Sequence, residues 1–163
     1  MTPAETRAEI EKLHPAGFAW SMACCDRNRE RAEDVLQASY LKILDGRARF
    51  AGRSSFRTFL FGVIRRTAAE ERRRTAVARV IFGRSMPEEP TGGESVSDDR
   101  LAFRTALALL ARRQREVLEL VFSMGMTVQE AADTLSISAG SARVHYDRGK
   151  KRLAAILGRR ASA

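Results

Sequence analysis

The stretch SMPEEPTGGESVSDD, residues 85–99, is the feature that most constrains the fold of this chain. It contains two prolines, two adjacent glycines and five acidic residues, a composition that buries little apolar surface and predicts a linker. Each flanking part of the 163-residue chain must then build its own small core. We therefore predict two small domains, residues 1–80 and 101–163, joined by a flexible acidic linker over residues 81–100.

Residue usage on both sides of this linker favours helices. Ala, Leu, Arg and Glu outnumber the β-branched residues, and apolar positions recur at helical spacing. We expect Pro15 to break or restart the first helix. The fold class predicted is all-α. The helices predicted are 3–13, 16–25, 30–44, 55–76, 100–111, 113–123, 128–135 and 139–157.

The charge of the chain is distributed in blocks. Residues 46–84 carry a net charge of +9 and residues 101–163 carry +6, whereas residues 1–45 and 85–100 carry −2 and −4. General solubility would scatter the signs, but two basic blocks around an acidic strip, with a pI near 10.7, indicate two surfaces for a polyanion. The pattern favours a nucleic acid as the partner.

The C-terminal stretch TVQEAADTLSISAGSARVHYDRGKKRL, residues 127–153, has the pattern of a helix-turn-helix. Thr127 and Glu130 form a capping box at the start of one helix. Ser136, Ile137 and Ser138 make the turn, with Ile137 as a buried plug and Ser138 as the next N-cap. A short helix, a tight turn and a longer helix together predict a motif that binds duplex DNA.

The second helix of this motif has one apolar face. Ala142, Tyr146, Gly149 and Leu153 fall at i, i+4, i+7 and i+11, so they are expected to face inward. In a major groove, Ser and Arg can bond base edges or phosphates, and Val can contact a thymine methyl group. The side chains left exposed for such contacts are Ser141, Arg143, Val144, His145 and Arg148, with Lys151 further along.

No residue pattern indicates catalysis, a metal or another cofactor. His14 and His145 are far apart and lack a matching Cys or carboxylate pattern. Cys24 and Cys25 are adjacent in an apolar stretch, so we expect buried free thiols and a reducing compartment. The N-terminus is charged and no apolar run approaches membrane-spanning length. We therefore predict a cytoplasmic protein that is not an enzyme and does not insert into membranes.

Two separate blocks of sequence resemble the bacterial extracytoplasmic-function sigma factors. The run from LALLARRQREVLEL to GKKRL is similar to their C-terminal DNA-binding region, through Leu110, residues 114–117, Gly125 and residues 140–145. AEDVLQASYLKIL followed by FAGRSSFRTFLFGVIRR is similar to their N-terminal promoter-melting region. The two blocks stand in the expected order on either side of the acidic strip and cover most of residues 16–157.

The resemblance implies roles for particular residues. Asp34 and Gln37 match positions near the surface that docks on core RNA polymerase. Ser141, Arg143, Val144, His145, Arg148 and Lys151 would read the minus-thirty-five element. The loop from Phe50 to Phe56 would capture a base flipped from the minus-ten element, whereas Phe56 and Phe59 themselves are expected in the core. The residues implied at the minus-ten and melting site are Phe50, Arg53, Arg57, Arg65, Arg66, Arg72 and Arg73, with Arg74 in the same cluster.

The partners implied are core RNA polymerase, promoter DNA and an anti-sigma factor, with a monomer as the free state. Some positions depart from the family pattern. Arg66 stands where the family often has Asn near the flipped base, and Ser136 stands where a turn glycine is common. These departures leave the fold intact but make the preferred promoter sequence unpredictable.

Two other functions compete with this interpretation. A stand-alone helix-turn-helix regulator would explain residues 101–157 but not the Arg/Phe loop and helix at 47–74, and no dimerisation helix is evident. A recombinase-like enzyme with a C-terminal helix-turn-helix would need a nucleophilic serine on a mixed α/β domain. The lack of strand patterns in residues 1–85 argues against that enzyme.

Overall fold

The computed structural model describes residues 1–83 and 95–162, and these fold as helices joined by short loops. The chain divides into two compact units, Met1–Gly92 and Gly93–Ala163. No strand occurs within the described ranges, so the all-α prediction is confirmed. Residues 84–94, which make up most of the predicted linker, lie outside the described residues.

The first unit packs three helices around one core. The helices are α1 (Pro3–Cys24), α2 (Arg29–Leu44) and α3 (Phe56–Phe82). Trp20 of α1 is 1% exposed and stacks on Phe61 of α3 at a ring-centroid distance of 6.1 Å. Its indole Nε1–H donates to the Phe61 carbonyl oxygen at 3.0 Å, which satisfies the one polar atom that the buried indole carries.

The predicted break of the first helix at Pro15 is wrong, because α1 runs without interruption from Pro3 to Cys24. A proline removes one intrahelical hydrogen bond, here the one to the carbonyl of Glu11. Glu11 and Pro15 are both exposed, so that carbonyl is not buried without a donor. Ile10 and Trp20 are buried on either side of the proline, and their packing holds both halves of the helix in line.

Helix α3 is longer than predicted and continues six residues past Ala76, to Phe82. Nothing in TAVARVIF breaks a helix, and the end comes at Gly83, whose φ of +79° favours glycine. The extension carries exposed apolar side chains, of which Val80 and Phe82 are each 86% exposed. The first half of α3 therefore belongs to the core, and its last turns project from it.

Polar contacts fix the middle of α3 to both neighbouring helices. Arg31 of α2 pairs with Glu71 at 2.8 Å, and Lys42 of α2 pairs with Glu70 at 2.5 Å. On the other side, Arg72 donates to the carbonyl of Cys24 at 3.0 Å, at the C-terminus of α1 where carbonyls lack intrahelical donors. These contacts orient α3 about its own axis.

The two cysteines are free and buried as predicted. Cys25 is fully buried, and this burial raises the pKa of its thiol to about 11. A thiol with such a pKa is almost wholly protonated at neutral pH and is a poor nucleophile. No helix in the described ranges is long and apolar enough to cross a membrane.

The described part of the second unit, residues 95–162, contains four α-helices and one π-helical turn. These are α4 (Asp98–Ala108), α5 (Arg112–Leu118), the π-helical turn Glu119–Ser123, α6 (Val128–Leu135) and α7 (Ala139–Ala161). The predicted helix 113–123 therefore changes geometry at its last turn, where the Met124 N–H bonds the Glu119 carbonyl at 3.0 Å. One core cluster joins Ala106, Leu110, Leu118, Leu153 and Ile156.

Helix α7 packs closely against α5 at Gly149. A Cβ atom at this position would lie 3.1 Å from Leu118 Cδ1 and 3.3 Å from Gln114 Cβ. Such distances are too short for ordinary van der Waals contact, so the helix crossing depends on the missing side chain. Gly158 lies further along the same helix, and a Cβ there would meet no atom within 4 Å.

We predict that Gly149→Val lowers the free energy of unfolding by about 1–3 kcal/mol, because the added methyl groups force α5 and α7 apart. The matched change Gly158→Val should leave it nearly unchanged or slightly raised, since only helix propensity acts there. Chemical denaturation followed by far-UV circular dichroism measures both. Equal effects of the two changes would show that the crossing tolerates a side chain.

The pair between Arg31 and Glu71 predicts a pH dependence. Burial alone would raise the pKa of Glu71, but the hydrogen bond and charge of Arg31, with Thr75 and Arg72, outweigh it and hold the pKa below its usual range. A lowered folded-state pKa stabilises the fold above the unfolded value of about 4.3, and that stability is lost as the pH falls through the folded-state pKa.

Glu71→Gln should therefore lower the free energy of unfolding at pH 7 and should flatten its decline below about pH 4. The fluorescence of Trp20 during urea unfolding reports on this unit. Glu33→Gln is the control, because Glu33 pairs with Arg29 on an exposed surface where pairs contribute little. A decline in Glu71→Gln as steep as in the wild type would exclude Glu71 as the titrating group.

Candidate nucleic-acid interface

The helix-turn-helix predicted at residues 127–153 is present. The Thr127 hydroxyl accepts from the Glu130 N–H at 3.1 Å, and the Glu130 carboxylate accepts from the Thr127 N–H at 2.8 Å, which completes the capping box. Ser138 caps α7 by accepting from the Ser141 N–H at 3.0 Å. Ser136 adopts the left-handed conformation (φ +54°, ψ +43°), so a side chain does occupy the position where glycine is favoured.

The inward face of α7 is as predicted, with Ala142, Gly149 and Leu153 buried and Tyr146 half-buried. The side chains predicted to read DNA were expected to be exposed, but one of them, His145, is half-buried. The hydroxyl of Ser141 accepts from that of Ser138 at 3.0 Å, so it also serves the helix cap. The exposed side chains of the predicted set are Ser141, Arg143, Val144, Arg148 and Lys151.

A pocket of about 360 Å³ opens in the first unit between α2, the loop after it and α3. This volume is at the lower end of small-molecule sites, which span about 300–1,000 Å³. Four of its lining residues are cationic, and the apolar ones form a wall. The lining residues are Lys42, Arg47, Ala48, Arg49, Phe59, Val63, Arg66, Thr67 and Glu70.

The loop at the rim of this pocket is held by its own side chains. The backbone N–H and the guanidinium of Arg47 both donate to the Asp45 carboxylate, at 3.1 and 2.7 Å, and these hydrogen bonds hold the pKa of Asp45 below its usual range. Arg49 donates to the Gly46 carbonyl at 3.1 Å. Gly46 and Gly52 have φ values of +78° and +69°, which permit the two reversals of the loop.

Lys42 occupies the inner side of the pocket with two hydrogen-bond partners. Its ammonium group donates to Glu70 and, at 3.1 Å, to the Thr67 hydroxyl. The hydrogen bond from Lys42 holds the pKa of Glu70 below its usual range, so this carboxylate is ionised at neutral pH. The pocket thus combines a fixed acceptor with several donors, which suits the polar edge of a nucleobase.

The predicted melting-site arginines of α3 lie on different faces. Arg66 and Arg73 are exposed, are two turns apart and point away from the core, and Arg66 also lines the pocket. Arg65 and Arg72 are half-buried on the flank towards α1, where Arg72 bonds the Cys24 carbonyl. Arg57 is also half-buried, with its guanidinium 5.3 Å from the Phe61 ring centroid.

The other predicted residues lie in or near the loop before α3. Arg53 is exposed there. Phe50 is half-buried and packs on Phe56 and Phe59, with ring-centroid distances of 5.4 and 5.3 Å. Phe56 is in the core as predicted, at 7% exposed, but Phe59 is half-buried and lines the pocket wall. The three rings together support the loop.

The outer face of α2 carries Asp34 and Gln37, the two residues predicted to dock on polymerase, and both are exposed. Helical spacing continues this face to Leu41 and Leu44, which are 58% and 47% exposed. Two exposed leucines beside polar residues are typical of a protein contact surface. We call Asp34, Gln37, Leu41 and Leu44 the α2 outer face.

Several residues of these surfaces were not predicted from the sequence. Lys42 and Arg49 belong to the pocket, and Leu41 and Leu44 to the α2 outer face. The two leucines could have been predicted from helical spacing, because they lie on the same face of α2 as Asp34 and Gln37. The pocket had no local signal, since it forms only when residues 42, 49 and 66 meet.

Family profiles match both halves of the chain. The profile described as Sigma-70 region 2 matches residues 11–77, and that described as Sigma-70, region 4 matches residues 100–153. The extracytoplasmic-function (ECF) RNA polymerase sigma factor ShbA of Streptomyces griseus is 30% identical over 162 residues, covering 90% of this chain and 84% of that protein. EcfG of Rhodopseudomonas palustris, also named an ECF RNA polymerase sigma factor, is 28% identical over 134 residues, or 80% and 73% of the two chains.

Solved structures show the same fold. The sigma factor RpoE of Bartonella quintana, solved in complex with the anti-sigma factor NepR, superposes with a TM-score of 0.73 at 23% identity and covers 94% of this chain and 97% of its own. CnrH, solved in complex with the cytosolic domain of CnrY, gives a TM-score of 0.64 at 21% identity, covering 96% and 94%.

Proposed function

The chain belongs to the extracytoplasmic-function sigma factors, and from this membership we propose which of its surfaces meet polymerase, promoter DNA and an inhibitor. The protein is an alternative sigma factor that directs RNA polymerase to promoters. It is therefore a transcription initiation factor, and the alternative of a stand-alone helix-turn-helix regulator is wrong, since region 2 of the sigma-70 family spans residues 11–77.

The observation that carries the proposal is the pocket beside the loop between α2 and α3. Its cationic rim, formed by Arg47, Arg49 and Arg66, attracts the phosphates of a single strand. Its interior offers the Phe59 ring and the polar groups of Lys42 and Glu70 to a base turned out of the duplex. Holding that base offsets the cost of unstacking it, a few kcal/mol, and so stabilises the open promoter at the minus-ten element.

The proposed minus-ten site extends beyond the pocket along α3. Arg53, Arg66 and Arg73 are exposed and available to the DNA backbone. Arg57, Arg65 and Arg72 are half-buried, so in our proposal they shape the surface and add positive potential rather than grip single phosphates. Phe50 supports the loop through Phe56 and Phe59, and its exposed part stacks on a neighbouring base.

The minus-thirty-five element is read by α7 in this proposal. Arg143 and Val144 project from the first turns of the helix, the part that enters the major groove in helix-turn-helix proteins. Ser141 and His145 flank them, and Arg148 and Lys151 continue along one face towards the C-terminus, where they contact phosphates. In this proposal residues 1–80 form the domain that docks on polymerase and melts the minus-ten element, and residues 101–163 form the domain that reads the minus-thirty-five element. Residues 81–100 connect the two domains.

The α2 outer face docks on core RNA polymerase in this proposal, with Leu41 and Leu44 as the apolar centre and Asp34 and Gln37 as the polar rim. We also propose an anti-sigma factor as an inhibitory partner. Its support is that two similar solved structures are complexes, one of the sigma factor RpoE with the anti-sigma factor NepR and the other of CnrH with the cytosolic domain of CnrY. In the absence of partners we propose a monomer in the cytoplasm.

Leu41→Glu should abolish stable binding to core RNA polymerase, because it places a charge in the apolar centre of the docking surface. Truncation of central contact residues typically weakens binding by about tenfold or more. Size-exclusion chromatography of the chain mixed with sigma-free core polymerase measures co-elution. Leu109→Glu is the matched control, since Leu109 is 62% exposed on the second unit. If Leu41→Glu co-elutes like the control, the α2 outer face is not the docking surface.

Arg66→Ala should reduce the opening of a double-stranded promoter by about tenfold, the effect of losing one charged contact to the backbone phosphate beside the captured base. Opening is monitored with a fluorescent base analogue in the minus-ten element. On a promoter held open by mismatches the defect should shrink, because unstacking is already complete. Arg79→Ala, an exposed arginine on α3 outside the pocket lining, is the control. A defect of the same size on both templates would contradict base capture.

A further inference from the structure

Tyr146 lies in an aromatic column that joins three elements of the second unit. Its ring is 6.0 Å from that of Phe122 in the π-helical turn, and Phe122 meets Phe103 of α4 edge-on at 6.4 Å. Phe103 and Tyr146 pack partly buried against the core cluster. Ring contacts of this kind favour particular relative orientations, so the Tyr146 ring has a defined orientation on α7.

Two cations of α7 lie over this ring. The Lys150 ammonium is 4.3 Å from the Tyr146 ring centroid, and the Arg143 guanidinium carbon is 6.0 Å from it. The two residues stand at i+4 and i−3 from Tyr146, which places all three along one strip of the helix surface. Both distances lie within the range of cation–π attraction.

A competing partner stands close to Arg143. Asp147 lies at i+4 from it, the spacing at which opposite charges pair on a helix, and Asp147 is exposed. Within residues 95–162 no ion pair joins the two, and the guanidinium lies over the tyrosine ring instead. A salt bridge would neutralise Arg143 and occupy its N–H donors, whereas contact with an aromatic face leaves charge and donors available.

We propose that Tyr146 is a positioning residue for promoter recognition: it holds Arg143 over its ring for base contact in the minus-thirty-five element, and Lys150 for a neighbouring phosphate. This inference rests on the proposed role of α7. Arg and Lys are rich in rotamers, and ordering them before binding removes part of the entropic cost of association. Sequence discrimination by Arg143 therefore depends on a ring that itself touches no DNA.

The test uses the full chain bound to core RNA polymerase. A duplex library randomised upstream of the minus-ten element is selected for binding, and the enriched duplex and a scrambled duplex become the probes. The measured quantity is the ratio of their dissociation constants. Four variants are compared with the wild type: Tyr146→Phe, which keeps the ring, Tyr146→Leu, which keeps apolar bulk without a π face, Arg143→Ala, and Tyr146→Leu combined with Arg143→Ala.

Tyr146→Phe should keep the wild-type ratio. Tyr146→Leu should reduce it by about twofold to fivefold, the effect of losing the cation–π contact of Arg143 at an exposed site. In the Arg143→Ala background the same Leu substitution should change the ratio little, because the side chain it positions is already gone. A loss of discrimination through partial unfolding would instead appear in both backgrounds and would accompany a lower unfolding midpoint.

The outcomes separate this inference from the proposed function. If the wild-type holoenzyme enriches no sequence, the role of α7 at the minus-thirty-five element is wrong and the inference falls with it. If a sequence is enriched and Arg143→Ala abolishes discrimination while Tyr146→Leu preserves it, only the positioning role is overturned. Equal losses in the wild-type and Arg143→Ala backgrounds also overturn it.

Discussion

The orientation of α3 is the constraint on which the proposed minus-ten surface depends. Trp20 holds it through ring stacking and a hydrogen bond to the Phe61 carbonyl, and the pairs of Glu70 and Glu71 with α2 fix its rotation. A rotation by one residue, about 100°, would turn Arg66 away from the pocket. Contacts on one side of the helix thus determine which basic side chains belong to the proposed minus-ten surface on the other side.

Features encoded by neighbouring residues could be predicted from the sequence. The capping box at Thr127, the cap at Ser138 and the inward face of α7 each depend on spacings within a few residues. The prediction at Pro15 was wrong, because the local rule for proline ignores the tertiary packing of Ile10 and Trp20 on either side of it. The predicted extent of α3 was too short for a different reason: the polar run RRTAAEERRR, residues 65–74, gave no core signal beyond it, although nothing interrupts the helix before Gly83.

The functional surfaces were harder to predict, because they form where distant segments meet. Lys42, Arg49 and Arg66 line one pocket from three different segments, and no sequence period connects them. Family resemblance implied roles for α3 and α7, but it treated the arginines of α3 as equivalent. Their burial separates them into exposed residues such as Arg66 and Arg73 and half-buried ones such as Arg72, which bonds the end of α1.

The π-helical turn Glu119–Ser123 determines the direction of the side chains at the end of the helix that begins with α5. A π-helical turn accommodates one residue more than an α-helical turn spanning the same ends, so its side chains are displaced around the axis from the positions that an α-helix would give them. Phe122 lies within this turn, at the point where it meets Tyr146. The contact between Phe122 and Tyr146 therefore depends on the hydrogen-bond register of this turn as well as on the two rings.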